Sequence, residues 1–421
     1  MSRGARIAVT AGCVAVFLGS WSLIHHLWYG ASVQSVDTPV YQSYAQQTID
    51  GRIPYRDFSV QYPPGFLVPA LAPDATANPD DFYSYAHDFD RWMAGAGVVV
   101  ILLAAVALAA LRTEPMRFAG ALGFMAVSPL LLGNVILSRF DLWVTALAIG
   151  GLSALLAGRE RTGGALLGAA IATKIWPAVL VPLGLIWIWR RRGRSAALRW
   201  LMLVVAVCVA FFLPFAALAP GGLGHSLGLQ IDRPLQIESL GSAILLAGHN
   251  LGGLAVATKT SYGSQNLVAH GTGAVAAASA LVQLLALCAV WVAFARGPAR
   301  ADRLVTATAA SVAVFVAFGK VFSPQYLIWL IPFVPLVRSG LASLLLGVAL
   351  VATQFYFPAH YPDLPELKQW AAWLVLGRDL VVVMLAVGLV RLLLVPEPAE
   401  HTTPAPARAA PAREALPVLQ S

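Results

Sequence analysis

The chain has 421 residues, of which 58% are hydrophobic and 11% charged, with a mean hydropathy of +0.73. Soluble domains carry about 25% charged residues, so most of this surface does not face water, which excludes an ordinary soluble enzyme. The net charge of +8 does not point to nucleic acid, because the arginines cluster in short connections between apolar runs, as the positive-inside rule requires.

Residues 7–29 are apolar and follow Arg3 and Arg6, which predicts a signal anchor with its N-terminus in the cytoplasm. The long polar stretch 30–90 then lies outside. Residues 92–111 return to Arg112 and Arg117, 118–138 go out, and 142–157 come back to Arg159 and Arg161. Residues 163–189 match one tilted helix in length, but a single crossing places Arg190, Arg191, Arg192 and Arg194 outside, against the charge rule. The run also breaks at Lys174-Ile175-Trp176-Pro177, where proline interrupts a helix. Two half-helices that dip and return fit better; such backbone is tolerated at membrane depth only beside protein or a wet cavity. Residues 199–218 go out, 219–270 form a second outer loop, and 271–295 return to Arg296, Arg300 and Arg303. Spans 304–318, 324–337, 341–357 and 369–390 complete the map. The tail 396–421, rich in proline and alanine, reads as a disordered cytoplasmic end. The expectation is an all-α polytopic membrane unit over 1–395, with about ten to twelve transmembrane helices and a re-entrant pair. Both termini then lie in the cytoplasm.

All four lysines, Lys174, Lys259, Lys320 and Lys368, fall outside the cytoplasmic connections. Cations that defy the topology rule need another reason. Asp37, just after the first span, reads either as the cap of a short interfacial helix beginning near Pro39 or as a general base at the lipid–water boundary. Arg56 and Asp57 form a local pair; Tyr62-Pro63-Pro64 reads as a rigid aromatic corner. In Ser138-Arg139-Phe140-Asp141 the arginine is either part of a solvated turn or a fork for a phosphate. Lys174 beside its proline break reads as a cavity-lining cation or a snorkelling one. The stretch from Leu229 through Asp232, Gln236 and Glu238 is dense in polar groups. Lys320, before Ser323-Pro324-Gln325-Tyr326, marks either a helix end or a second cation of the site. Arg378-Asp379 lies inside the last span, as an ion pair or as an arginine facing a headgroup. The three cysteines, Cys13, Cys208 and Cys288, sit in apolar runs as small core residues. No spacing fits a metal, and no Walker or dinucleotide loop is present.

Asp37-Thr38-Pro39-Val40-Tyr41, residues 51–58 and Tyr62-Pro63-Pro64 resemble glycosyltransferase family 87, a GT-C group that includes phosphatidylinositol-mannoside mannosyltransferases. The resemblance continues through Ser138 to Asp141, Lys174 to Pro177, Asp232-Arg233 with Gln236 to Ser239, and Ser323 to Tyr326. It implies a GT-C-like fold and transfer of a hexose, mannose by analogy, from a polyprenyl-phosphate donor to a lipid or glycan acceptor at the outer face of the plasma membrane. It implies neither metal nor cofactor, and inversion at the anomeric carbon is the expected course. Asp37 matches the family's catalytic aspartate. Lys174, Lys320, Arg139 and Arg378 are the candidate donor-phosphate ligands. Tyr41, Asp57, Tyr62, Trp176, Asp232, Glu238 and Gln325 are the candidate sugar or acceptor contacts. A secondary transporter predicts two repeated halves, and none is visible. A lipid-linked-sugar flippase shares the cationic cavity but needs no base.

Overall fold

The structure, a computed structural model, describes residues 1–32, 37–78 and 81–395. The tail at 396–421 lies outside the described residues. Helix α1 (Arg3–Ser32) is followed by α2 (Asp37–Ile49), α3 (Leu67–Asp74), α4 (Phe82–Ala110), α5 (Pro115–Leu132) and α6 (Asp141–Leu156). Next come α7 (Glu160–Thr173), α8 (Val181–Arg192), α9 (Arg194–Leu218), α10 (Pro220–Ile231) and α11 (Leu240–Gly252). A small antiparallel hairpin, β1 (Val256–Ser261) and β2 (Ser264–Ala269), precedes α12 (Thr272–Arg296), α13 (Ala301–Phe318), α14 (Gly340–Tyr356) and α15 (Gln369–Leu394). The hairpin is the one pair of β-strands among the described residues: Tyr262 and Gly263 both take positive φ, the geometry of a tight two-residue turn.

Seven described helices are long and apolar enough to cross a bilayer unaided: α1, α4, α5 with the turn that extends it, α9, α12, α13 and α15. Three shorter apolar segments, Asp141–Leu156, Pro324–Leu336 and Gly340–Tyr356, accompany them. The outward faces of α9 (Met202, Val205, Val209, Leu213) and α12 (Leu281, Leu284, Leu285) are exposed and wholly apolar. Patches of that extent are stable only against lipid or protein. The expectation of an all-α polytopic membrane protein therefore holds.

Two boundaries differ from expectation and one agrees with it. The stretch 30–90 is not one loop: it contains α2, α3 and the first turns of α4, which starts at Phe82 because Asp81 caps it by accepting from the Tyr83 N–H at 2.9 Å. Residues 324–337 are not a continuous helix but two 3-10 segments, Pro324–Leu330 and Val334–Leu336, since Pro324, Pro332 and Pro335 remove helical donors. Residues 163–189 form the expected hairpin, with α7 and α8 joined through an extended Lys174 and a 3-10 turn at Trp176–Leu180. Its two ends meet, Arg192 Nε lying 3.1 Å from Glu160 Oε1. Trp200 of α9 fits between the arms where Gly164 and Gly184 leave room; a Cβ on Gly184 would come within 2.5 Å of the indole.

Arginines gather at one end of the bundle and close helix C-termini there. Arg303 donates to the Ala293 carbonyl at 3.0 Å and the Leu393 carbonyl at 2.8 Å, and Arg190 to that of Ala295 at 3.0 Å. Cations suit helix C-termini, where carbonyls lack partners. The opposite end carries α2, α3, α10, α11 and the β-hairpin, and it is there that the polar side chains meet.

Candidate active site

Gly133, at φ 75°, ends α5; a 3-10 turn (Gly133–Ile136) then delivers Arg139, Phe140 and Asp141 to the start of α6. Asp141 occupies the first turn of that helix, where exposed N–H groups favour a carboxylate. It is 1% exposed. One of its oxygens accepts from Lys174 Nζ at 2.7 Å and from Trp329 Nε1 at 2.5 Å, while the other has no hydrogen-bond partner. The break in the α7–α8 hairpin is what brings Lys174 there: it caps α7 in extended backbone, with its ammonium 4.8 Å from the centre of the Phe140 ring.

Two residues before Asp141, the Arg139 guanidinium forms an ion pair with Asp37, the first residue of α2. Asp37 thus starts the helix with its carboxylate facing a cation. Residues 139–141 thus join two acid–base pairs drawn from three distant parts of the chain. Gly65 permits the approach of the first loop, since a Cβ there would lie 2.7 Å from Thr173 Oγ1 and 2.8 Å from the Ala172 backbone.

The aromatic candidates are mostly packed. Tyr41, 1% exposed, meets Tyr62, Phe66, Phe89 and Phe140 with ring centres 5.1–5.9 Å apart. Trp176, 2% exposed, stacks on Trp329 at 4.9 Å, and Trp329 stacks on Tyr326 at 4.0 Å. Tyr62 is half-buried at the edge of the first cluster. Asp57 is held in its own loop by Arg56 at 2.9 Å and by the Ile53 N–H at 2.7 Å, and these bonds lower its carboxyl to about 2.

Arg378 and Glu238 belong to a second, fully buried network. Arg378 donates to Asp379 at 2.8 Å, to the Tyr356 hydroxyl at 3.0 Å and to the Glu238 carbonyl at 2.7 Å, and its guanidinium lies 3.9 Å over Phe322. Glu238 accepts from the Tyr356 hydroxyl and, at 3.0 Å, from Gln236, which also reaches Ser323. Burial pushes the Glu238 carboxyl up to about 7, against the opposing pull of Arg378, the Tyr356 hydroxyl and Arg139. The network ties the second loop to α14 and α15.

Lys320 donates to the Ile231 carbonyl at 2.7 Å and so closes α10, where the exposed Asp232 is the cap residue. Gln325 is half-buried at the start of the Pro324–Leu330 turn. The structure thus unites Asp37, Arg139 and Lys174; it places Arg378 and Glu238 together elsewhere, and Asp57 in a surface staple. The motifs contain Asp141 and Arg233 without assigning either a role, and nothing in them marks Trp329; Arg233 lies beside the Tyr326 hydroxyl. An indole inside an apolar run gives no sign of its hydrogen bond. For Arg233 a signal exists, since the following Pro234 holds that backbone extended and away from helix. Among the described residues no three His, Cys, Asp or Glu side chains converge as a metal site would require.

The family model described as "Glycosyltransferase family 87" matches residues 61–324. No curated protein matches the chain.

Proposed function

Because the chain belongs to glycosyltransferase family 87 and is a membrane glycosyltransferase, we propose that it moves a hexose, mannose by resemblance, from a polyprenyl-phosphate donor to a lipid or glycan hydroxyl at the outer face of the plasma membrane. The observation that carries this reading is the pair of linked ion pairs, Asp37–Arg139 and Lys174–Asp141, at the end of the bundle opposite the arginine-rich connections. A donor with its phosphate at the interface and its tail in the bilayer needs a carboxylate and cations at that depth.

Asp37 acts as general base in this reading. The neighbouring guanidinium fixes the direction of its carboxylate, which accepts the acceptor's hydroxyl proton in this reading. The hydroxyl oxygen bonds to the anomeric carbon from one face while the carbon–oxygen bond to phosphate breaks on the other, which inverts the centre. The departing polyprenyl phosphate takes the electron pair, and side-chain cations fixed beforehand stabilise it; such preorganised charge is the largest single contribution in sites shielded from water. Lys174 and Arg139 serve that role without a divalent ion.

Asp37→Asn in reconstituted vesicles is expected to lower transfer from a polyprenyl-phosphate hexose by about 100- to 10,000-fold with expression retained. Undiminished turnover removes Asp37 from the role of base. Donor reorientation without product in the same vesicles would instead favour a flippase.

A further inference from the structure

Resting on the donor reading above, we infer that Arg233, at the end of α10, is the residue that captures the donor's phosphate. Arg139 and Arg233 both stand close enough to Lys174 to act on its charge. Two of them already hold a carboxylate, Arg139 that of Asp37 and Lys174 that of Asp141. Arg233 forms no ion pair with a carboxylate among the described residues. It lies beside the Tyr326 hydroxyl, its Nε is buried with no hydrogen-bond partner, and the adjacent Asp232 is exposed. Removing a charge from water without a counter-charge costs several kcal/mol as an order of magnitude, so a half-buried guanidinium of this kind is completed by an anion.

The geometry also fixes where that anion sits. Tyr326 stacks on Trp329, and Trp329 donates to the oxygen of Asp141 that also holds Lys174. The Gln236 N–H donates to the Lys320 carbonyl at 3.0 Å and the Gln236 amide to Ser323 at 3.0 Å, so the segment that carries Arg233 lies against the turn that holds this aromatic stack, although it comes from the second loop. A phosphate that engaged Arg139 or Lys174 first would compete with a carboxylate. At Arg233 it displaces no carboxylate, and the guanidinium fork donates to two phosphate oxygens together. Lys320, which reaches the Ile231 carbonyl beside it, adds to the positive field.

The same phosphate chemistry is offered by the prenyl donor and by bulk phospholipid headgroups. The full chain in phosphatidylcholine nanodiscs, titrated with polyprenyl phosphate and followed by tryptophan fluorescence, tests the assignment, because Trp176 and Trp329 flank the site. Arg233→Gln is expected to weaken binding by roughly 10- to 100-fold, the range for hydrogen bonds to charged groups. Arg233→Lys, which keeps the charge and loses the fork, is expected to fall between. Tyr326→Phe keeps the ring stack and removes the hydroxyl that orients Arg233, with a loss of a few-fold. Wild-type affinity in Arg233→Gln overturns the assignment. Displacement by phosphatidylglycerol, mole for mole, also overturns it and marks a general headgroup site. A wild-type chain that neither binds polyprenyl phosphate nor uses its hexose ester sinks the donor reading itself.

Discussion

Asp141 shows how much one buried carboxylate carries. It neutralises Lys174, holds Trp329, and sits two residues from the arginine that pairs with Asp37. Removing one partner of a buried pair costs about 3–5 kcal/mol because the other charge is left uncompensated. Asp141→Ala is therefore expected to destabilise the chain by that amount, and Lys174→Met in the same background to recover most of the loss without restoring transfer. Unfolding in denaturing detergent measures the first effect and turnover the second; equal stability of the single and double variants contradicts the pairing. Glu238 gives a titration. Between its ordinary value of 4.5 and about 7 the folded chain keeps a proton that the unfolded chain has lost, so stability falls as pH rises through that window and levels above it. Glu238→Gln is expected to flatten thermal stability across this range. A slope unchanged by the substitution assigns it to another group.

At the scale of elements, α10 places Arg233, and a single glycine sets how α10 lies. A Cβ on Gly222 would overlap the Tyr55 carbonyl oxygen of the first loop, whereas one on Gly224, on the same helix, meets nothing within 4 Å. Gly222→Ala is expected to lift α10 and lower kcat/KM by roughly 10- to 100-fold, the scale of an ångström-sized misplacement. Gly224→Ala, which adds only helix propensity, is expected to leave kinetics as they are. Equal effects of the two would mean that α10 does not position the site. The α7–α8 hairpin works alike. The arginine cluster and Pro177 foretell a chain that turns back, and the Glu160–Arg192 contact shows that it does. What the pattern did not reveal is that the turn delivers Lys174 onto Asp141, 33 residues earlier.

Across the whole molecule the argument concerns sides. The polar groups gather at one end, and the arginines that close helix C-termini at the other. With Cys13, Cys208 and Cys288 replaced, a cysteine at Tyr262 is expected to react with an impermeant thiol reagent added to intact cells. Cysteines at Arg159 and Arg191 are expected to react only after the membrane is opened. All three positions are exposed, so access depends on the bilayer alone. Labelling of all three from one side would end the proposed orientation.

The amino-acid order by itself determined the class of molecule, the spans, the arginine-rich connections and the break at Lys174, because each depends on the solvent that a short run of residues requires. It also picked out Asp37, Arg139 and Lys174 as polar groups in places where polarity needs a reason. Only the tertiary structure decided which charge meets which. It set Arg378 and Glu238 in a network of their own, tied Asp57 to its loop and left Arg233 with a tyrosine. Pairing is a property of distance between remote segments: burial makes an ionic partner necessary, but the packing of the helices alone selects it.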